Sequence, residues 1–239
     1  GGYRFAEPLP VGATVTSTWD FSWRNDGFTN QMLSNTVAAN GTYLDGPTVM
    51  PDLRYDPERE LTDADARGRH GLPPISGRLP DLDDPEARRA PGLRVEPGEV
   101  RIVLSTSPDQ TAVSAGTLQR EWSEGGRRYF EYRPAFPVGL ALASARYEVA
   151  RDSANGIPIE IFYDAKHAGA IPTIMNTVKR GLEYYVQEFG PYVFGSFRIF
   201  EYPRYSTVVD ARLGVIAFNE GAGFFSNYGD RQIDFVTGH

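Results

Sequence analysis

The sequence predicts a mainly β fold with some α structure. Two patterns support this: apolar and polar residues alternate in short runs through roughly the first 160 residues, and one long segment at 171–189 has helical spacing. The composition is that of a globular protein, with 41% hydrophobic and 23% charged residues in a chain of 239. A chain of this length forms one or two domains with a substantial core.

The first predicted strand lies near the start of the chain. Val15, Trp19, Phe21 and Trp23 alternate with polar residues, which is the period-2 pattern of a strand with one apolar face. On this interpretation Trp19 and Trp23 belong to the core.

Further strands follow from the same alternation, from turn residues and from β-forming residues. They are predicted at 100–105, 128–132, 145–150, 159–163 and 197–201. The pair Gly125-Gly126 predicts that 117–133 is a hairpin, and Asn155-Gly156 predicts a turn before 159–163.

Residues 51–97 interrupt this β pattern. Eight of the 18 prolines lie there, among many charged residues, which predicts a long surface excursion. One short helix is expected inside it, because Thr62-Asp63-Ala64-Asp65 resembles a capping box with Asp in place of Glu.

The one long predicted helix spans 171–189. Its apolar residues recur at helical spacing: Ile171, Ile174, Met175, Val178, Leu182, Tyr185, Val186 and Phe189. Gly190-Pro191 ends it. We interpret it as a packing helix, with a partner-binding role as the minor alternative. The change from β-rich to helix-bearing sequence places a domain boundary near 151–156.

Composition excludes several classes of function. The chain has no cysteine, so disulfides, thiolate nucleophiles and cysteine-ligated metal sites are ruled out. Its net charge is −7, so nucleic acid is not an expected partner. The sequence has no apolar run of the roughly 18 residues that a membrane-spanning helix needs.

Few residues suggest catalysis from their type and spacing. No Gly-x-Ser-x-Gly elbow and no phosphate-binding loop is present. Of the three histidines, His70 and His167 lie in polar connections and are interpreted as structural or solvated. His239 ends a predicted helix that begins at Asp230 as N-cap, with Ile233 and Val236 on one face.

The sequence Val-Thr-Gly-His at 236–239 is a familiar lead into His-Glu-x-x-His, a motif that holds zinc. A helix carrying that motif places two histidines one turn apart, with Glu as general base. Taken alone, His239 is equally well an accidental terminus or part of a tag. Both ends of the chain predict a fragment of a longer protein.

An ordered series of segments resembles the gluzincin metallopeptidases of the alanyl-aminopeptidase family (peptidase family M1). The segments are 159–167, the 171–189 helix, 189–192, 198–203 and 214–220. The upstream run 40–72 is similar to the branch of that family attached to bacterial ABC-transporter-like membrane proteins. The likeness extends from about residue 28 to the end.

The resemblance implies a saddle-like β-sandwich domain at 1–152, followed by the truncated start of a thermolysin-like α+β catalytic domain at 153–239. It implies that His239 is the first zinc ligand and that Glu220 binds the free α-amine of a peptide substrate. It further implies a parent protein that uses zinc and is attached to a membrane through segments outside this chain. No catalytic residue is assigned within the 239 residues.

The segment around Glu220 departs from the family pattern Gly-x-Met-Glu-Asn. Asn219 precedes the glutamate and Gly221 follows it. This leaves open a non-catalytic binding or structural module that keeps the peptidase fold, in which Glu220 is a capped or salt-bridged carboxylate. A third interpretation is a β-sandwich carbohydrate binder using Trp19, Trp23 and Trp122.

Overall fold

A computed structural model of the chain gives the fold. It describes residues 7, 10, 12–16, 18–24, 37–38, 41–45, 61–74, 99–134, 141–202, 209–212, 214–220 and 229–238. Within these residues the protein is mainly β, with strands in three sheets and few helices. The predicted fold class is confirmed at this level.

The strands are β1 (Val37–Ala38), β2 (Gly41–Asp45), β3 (Ile102–Thr106), β4 (Thr111–Ser114), β5 (Thr117–Glu124), β6 (Arg127–Arg133), β7 (Ala141–Ala145), β8 (Glu148–Ala154), β9 (Ile157–Tyr163), β10 (Phe197–Tyr202), β11 (Val209–Arg212) and β12 (Val215–Asn219). The helices are α1 (Ala64–Arg69), a 3-10 helix (Ala165–Ala170), α2 (Ile171–Phe189) and α3 (Asp230–Gly238).

The five-stranded sheet is mixed and has the order β11-β12-β10-β9-β8. Its three central strands, β9, β10 and β12, run parallel, while β8 and β11 lie antiparallel at the edges. Parallel neighbours need a crossover, and between β9 and β10 that crossover is the 3-10 helix and α2. The carboxyl ends of three strands therefore meet at one edge of the sheet.

Both faces of this sheet are buried. Adjacent residues such as Ile199 and Phe200 point to opposite faces, and neither is exposed to solvent. Ile199 packs with α2 and α3, whereas Phe200 packs with Tyr43 and Val113 of the neighbouring sheet. The near-continuous apolar runs of β9 and β10 follow from this two-sided burial.

The other two sheets are antiparallel. The four-stranded sheet has the order β1-β2-β7-β4, and the three-stranded sheet has the order β3-β6-β5. Ala112 faces the three-stranded sheet together with Phe130 and Tyr132, while its neighbour Val113 faces the five-stranded sheet. The four-stranded sheet thus lies between the other two, and α2 covers the far side.

Helix α2 has the predicted bounds. Pro172 stands in its first turn, where a missing N–H costs nothing, and Gly190 ends it with φ +95°. Ile174 and Val178 are buried against the five-stranded sheet. The predicted apolar face is wrong at its C-terminal end, because Tyr185 and Phe189 are exposed.

A single buried arginine ties the sheets together. Arg198, in β10, donates to the carbonyl oxygens of Ser114 and Gly116, at the corner where β4 leads into β5. It also donates to Glu160 Oε2 at 2.8 Å. Gly116 has φ +89°, and a Cβ there would lie 2.3–2.5 Å from the backbone of Arg133 and Pro134. Only glycine fits this corner.

The hairpin prediction at 117–133 is confirmed as β5 and β6, joined by Gly125-Gly126. The predicted strand at 145–150 is interrupted: β7 ends at Ala145 and β8 begins at Glu148. The short helix is confirmed as α1, although its N-cap is Asp63, whose carboxylate accepts from the Ala66 amide at 2.7 Å.

The strand predicted around Val15–Trp23 is wrong. The described residues of 12–24 have no strand, and Trp19 and Trp23 are 38% and 46% exposed rather than core. Alternation gives a strand only where a second strand pairs with it, and no strand of the described residues is paired with this segment.

Residues 152 and 153, on either side of the predicted domain boundary, both belong to β8, which pairs with β9 along its whole length. The division into 1–152 and 153–239 stays a prediction. In the described parts of the chain, the helices are too short or too polar to cross a membrane.

Candidate functional site

Three acidic residues lie at the carboxyl ends of the three parallel strands. Asp164 directly follows β9, Glu201 is the penultimate residue of β10, and Glu220 directly follows β12. In open sheets with parallel strands, ligands bind outside this edge. The topology therefore brings together carboxyl groups that are 37 and 19 positions apart in the sequence.

These residues surround a small pocket of about 20 Å³, space for one water-sized group. Its lining residues are Ala145, Arg146, Tyr147, Asp164, Glu201, Tyr202 and Glu220. The β7–β8 connection thus supplies one wall and the strand ends supply the other. Arg146 lines the pocket, but its Nε donates to Asp109 Oδ2 at 2.5 Å, outside the lining residues.

Glu201 is buried, and both of its carboxyl oxygens and its carbonyl oxygen are hydrogen-bonded. Oε1 lies 2.5 Å from His167 Nδ1, and Oε2 accepts from the Asp164 amide at 2.7 Å. Its carbonyl oxygen accepts from the Tyr147 hydroxyl at 2.6 Å. The His167 and Glu201 side chains are 5% and 4% exposed, so water does not screen this pair.

Burial raises the pKa of Glu201 to about 7, because a buried carboxylate loses its hydration. The Asp164 amide and His167 act in the opposite direction and limit the rise in pKa. Burial also raises the pKa of Tyr147, and the neighbouring Glu201 adds to that rise. Glu201 is therefore a carboxyl group that gains or loses its proton near neutral pH.

The 3-10 helix presents His167 to Glu201. Asp164 caps this helix by accepting from the Lys166 amide at 3.0 Å, and its carbonyl oxygen accepts from the His167 amide at 2.8 Å. The short Asp164–His167 segment is thus fixed by local bonds before α2 begins. The sequence alone predicts that His167 is either structural or solvated. The side chain is buried, so it is not solvated.

Glu220, the predicted amine-binding residue, is buried and lines the pocket. His239, the predicted first zinc ligand, lies outside the described residues.

Helix α3, which ends at Gly238, is described, and Ile233 packs into the core as its spacing predicts. The helix begins at Asp230, whose carboxylate accepts from Thr173 Oγ1 at 3.0 Å.

Helix α3 is attached to α2 by polar side chains. The Asp234 carboxylate accepts from the Thr177 hydroxyl and from Arg180 Nη2, the latter at 2.6 and 2.8 Å. Thr177 and Arg180 lie one turn apart on α2. The end of α3 is therefore fixed relative to the same helix that packs on the five-stranded sheet.

No group of three or more His, Asp or Glu side chains suited to a metal ion occurs within the described residues. Trp122, proposed for carbohydrate binding, stacks on Tyr129 with ring centroids 5.1 Å apart and lies 4.7 Å from the Arg120 guanidinium. Those contacts use ring surface that a sugar would need.

Sequence reasoning missed Glu201, Asp164 and Tyr147 as members of the site. One signal was available: Asp164 and Glu201 each stand at the end of a predicted strand, and parallel pairing brings such ends together. The bond between His167 and Glu201 had no sequence signal, because 34 residues and a helix separate them.

The search for relatives adds no identification. The chain matches no protein-family model, and no curated protein is detectably similar to it.

Proposed function

We propose that this chain is the amine-recognising part of a zinc metallopeptidase of the aminopeptidase type. In this proposal Glu220 binds the free α-ammonium group of a peptide. The observation that carries it is the position of Glu220, buried at the carboxyl end of β12, in a pocket that it shares with Asp164 and Glu201. The family resemblance of the sequence supports the same assignment.

The pocket has the size and chemistry for an ammonium group. Its volume of about 20 Å³ suits one group as large as water, and three carboxyl-bearing residues surround it. A carboxylate in a poorly hydrated position attracts a cation more strongly than one in bulk water. Fixing the amine there places the first peptide bond at a constant distance from the pocket, which is what cleavage next to an N-terminus requires.

The fold is compatible with this proposal. A mixed five-stranded sheet covered by α2 and α3 supports the interpretation of 153–239 as the start of a thermolysin-like domain. The antiparallel sheets formed by 37–45, 102–133 and 141–145 support a saddle-like β domain before it.

Zinc in such an enzyme polarises the scissile carbonyl and lowers the pKa of a bound water. A catalytic zinc site needs three protein ligands, and His239 is the one that the resemblance assigns in this sequence. The resemblance assigns no second or third ligand in this sequence. We therefore expect the 239-residue chain neither to hold catalytic zinc nor to cleave peptides; stoichiometric zinc together with turnover would contradict this.

Binding of alaninamide and of N-acetyl-alaninamide, followed by NMR chemical-shift changes, tests the amine assignment. We expect shifts at the pocket for the free amine alone, and at least a tenfold weaker affinity in Glu220→Gln, because losing a charge-assisted bond costs about 1.5–3 kcal/mol. Glu183→Gln, an exposed change on α2, is the matched control. Equal binding of the acetylated compound would refute the assignment.

The alternative is a non-catalytic module that keeps the peptidase fold, favoured by Asn219 and Gly221 flanking Glu220. A natural reading frame that continues past His239 separates the two candidates. Glu-x-x-His there, followed by a Glu about one further helix along, supports the peptidase; absence of any of these supports the module. In either case the parent is expected to be membrane-attached.

A further inference from the structure

The His167–Glu201 pair has a property that amine binding does not use. The two side chains are buried, and Nδ1 and Oε1 are 2.5 Å apart. The second carboxyl oxygen is already bonded to the Asp164 amide. Two hydrogen-bonding positions of the carboxyl group are therefore filled by one imidazole nitrogen and one backbone donor.

Counting protons on this pair gives two states that keep both bonds. With Nε2 protonated and one mobile proton between Nδ1 and Oε1, the pair has no net charge, whichever of the two atoms holds the mobile proton. When the pair releases the Nε2 proton to solvent, the mobile proton stays on Nδ1 and the carboxylate accepts from Nδ1–H, so the neutral imidazole is in its Nδ1–H tautomer. The second state has a net charge of −1.

A third state, with both groups protonated, fits the geometry poorly. The imidazolium directs Nδ1–H at Oε1, so the carboxyl proton must lie on Oε2, where the Asp164 N–H already points. Two donors then face each other. The bonds around Glu201 thus favour holding or releasing exactly one proton.

We propose that His167 and Glu201 form a one-proton switch, in which release of the proton fixes the imidazole tautomer and adds one negative charge beside the pocket. The switch joins the 3-10 helix to β10, and it adjoins Glu220 through the shared pocket. It is a property of the folded chain and does not depend on peptidase activity.

Charged and titratable groups from several described elements line the pocket beside Glu201. They are Asp164 after β9, Arg146 and Tyr147 before β8, Tyr202 in β10 and Glu220 after β12. Arg146, the single cation among them, is bonded to Asp109. Burial is the main cause that raises the pKa of Glu201 above the usual range of a glutamate, and the charge of Asp164 adds to it.

NMR of the 239-residue chain labelled with ¹⁵N tests the switch between pH 5.5 and 8.5. Long-range ¹H–¹⁵N correlations distinguish a ring nitrogen that carries hydrogen from one that does not. The pKa of Glu201 lies at about 7, and we expect His167 to be in the Nδ1–H tautomer at the alkaline end of this range. The exposed His70 serves as reference in the same spectra.

Glu201→Gln removes the ionisable partner but keeps a similar shape. We expect the preference of His167 for the Nδ1–H tautomer at pH 8.5 to weaken, because the amide supplies no carboxylate to accept from Nδ1–H. Glu183→Gln should leave the His167 tautomer unchanged. A His167 with the same tautomer at pH 8.5 in the natural chain and in Glu201→Gln would overturn the proposal.

The carboxyl carbon gives an independent measurement if Glu201→Gln does not fold. With ¹³C labelling of the natural chain, we expect one glutamate Cδ to titrate near pH 7. A natural chain in which neither a glutamate Cδ nor the His167 ring nitrogens change between pH 6 and pH 8.5 would overturn the switch without any variant. Both measurements use chains that keep Glu220 and contain no added amine, so a failure of amine binding does not alter them and the two proposals fail separately.

Discussion

The five-stranded and three-stranded sheets of this protein differ in where their charged side chains lie: buried in one and exposed in the other. In β10 five of six residues are buried, and both of its charged residues, Arg198 and Glu201, have bonded partners inside the protein. In β5 seven of eight residues are exposed. There, surface pairs such as Arg128–Glu121 at 2.5 Å hold the charges. In a sheet that is covered on both faces, a buried charged side chain is stable only where a hydrogen-bonding or oppositely charged partner lies next to it.

The largest effect is expected from the core of the five-stranded sheet. Phe200→Ala should lower the free energy of unfolding by about 3–5 kcal/mol, because the side chain is fully buried between two sheets. Phe189→Ala, on an 80% exposed ring of α2, is the matched control and should change stability by less than about 0.5 kcal/mol. Urea unfolding measures both; similar losses would contradict the burial of β10.

The next effect concerns the arginine that joins the sheets. Arg198→Ala should cost about 3 kcal/mol, because it leaves the carbonyl oxygens of Ser114 and Gly116 without their buried donor and weakens the hold on Glu160. Arg151 also bonds Glu160, at 3.3 Å, but is mostly exposed. Arg151→Ala should therefore cost under about 1 kcal/mol in the same assay.

A third prediction uses pH. The pKa of Glu201 is raised in the folded state to about 7, above its usual 4.5. A raised folded-state pKa stabilises the protein fully below pH 4.5, and that contribution is lost as the pH rises through 7. The full loss is on the order of 3 kcal/mol.

Thermal unfolding of the natural chain and of Glu201→Gln at pH 5 and pH 8 measures this contribution. The natural chain should lose more stability than the variant between the two pH values. An equal loss in both proteins would show that Glu201 does not account for the pH dependence.

The smallest effect is expected from a valine-to-alanine change in the three-stranded sheet, which can be compared with the same change in the five-stranded sheet. Val103→Ala, on a 42% exposed strand position of the three-stranded sheet, should change stability by less than about 0.5 kcal/mol. Val215→Ala, 1% exposed in β12, should cost about 2 kcal/mol, since two buried methyl groups are lost. Comparable costs in urea unfolding would mean that the exposed face of β3 is covered.

Local patterns in the sequence predicted much of this fold. The bounds of α2 and the hairpin at 117–133 follow from spacing and from glycine positions, which are properties of neighbouring residues. The strand predicted at Trp19 and Trp23 was wrong for a non-local reason. A strand needs a second strand to pair with, and the local pattern does not reveal whether one is present. Tyr185 and Phe189 continue the apolar spacing of α2, but they lie past the part of the helix that packs on the core, so they are exposed.

The candidate site was predicted in part. Glu220 was found through family resemblance, and it lines the pocket. Asp164 and Glu201 join it only through parallel pairing of β9, β10 and β12, a long-range arrangement that composition and spacing do not encode. The raised pKa of Glu201 depends on burial, so it too required the three-dimensional arrangement.

The missing side chain at position 116 has a consequence for how this protein can vary. The turn there is so crowded that even a methyl group would collide with the main chain of residues 133 and 134. Any replacement would push that corner outward and carry its carbonyl oxygen away from the arginine reaching across from β10. The hydrogen atom of Gly116 in place of a side chain thus allows Arg198 to bind the antiparallel sheets to the five-stranded sheet.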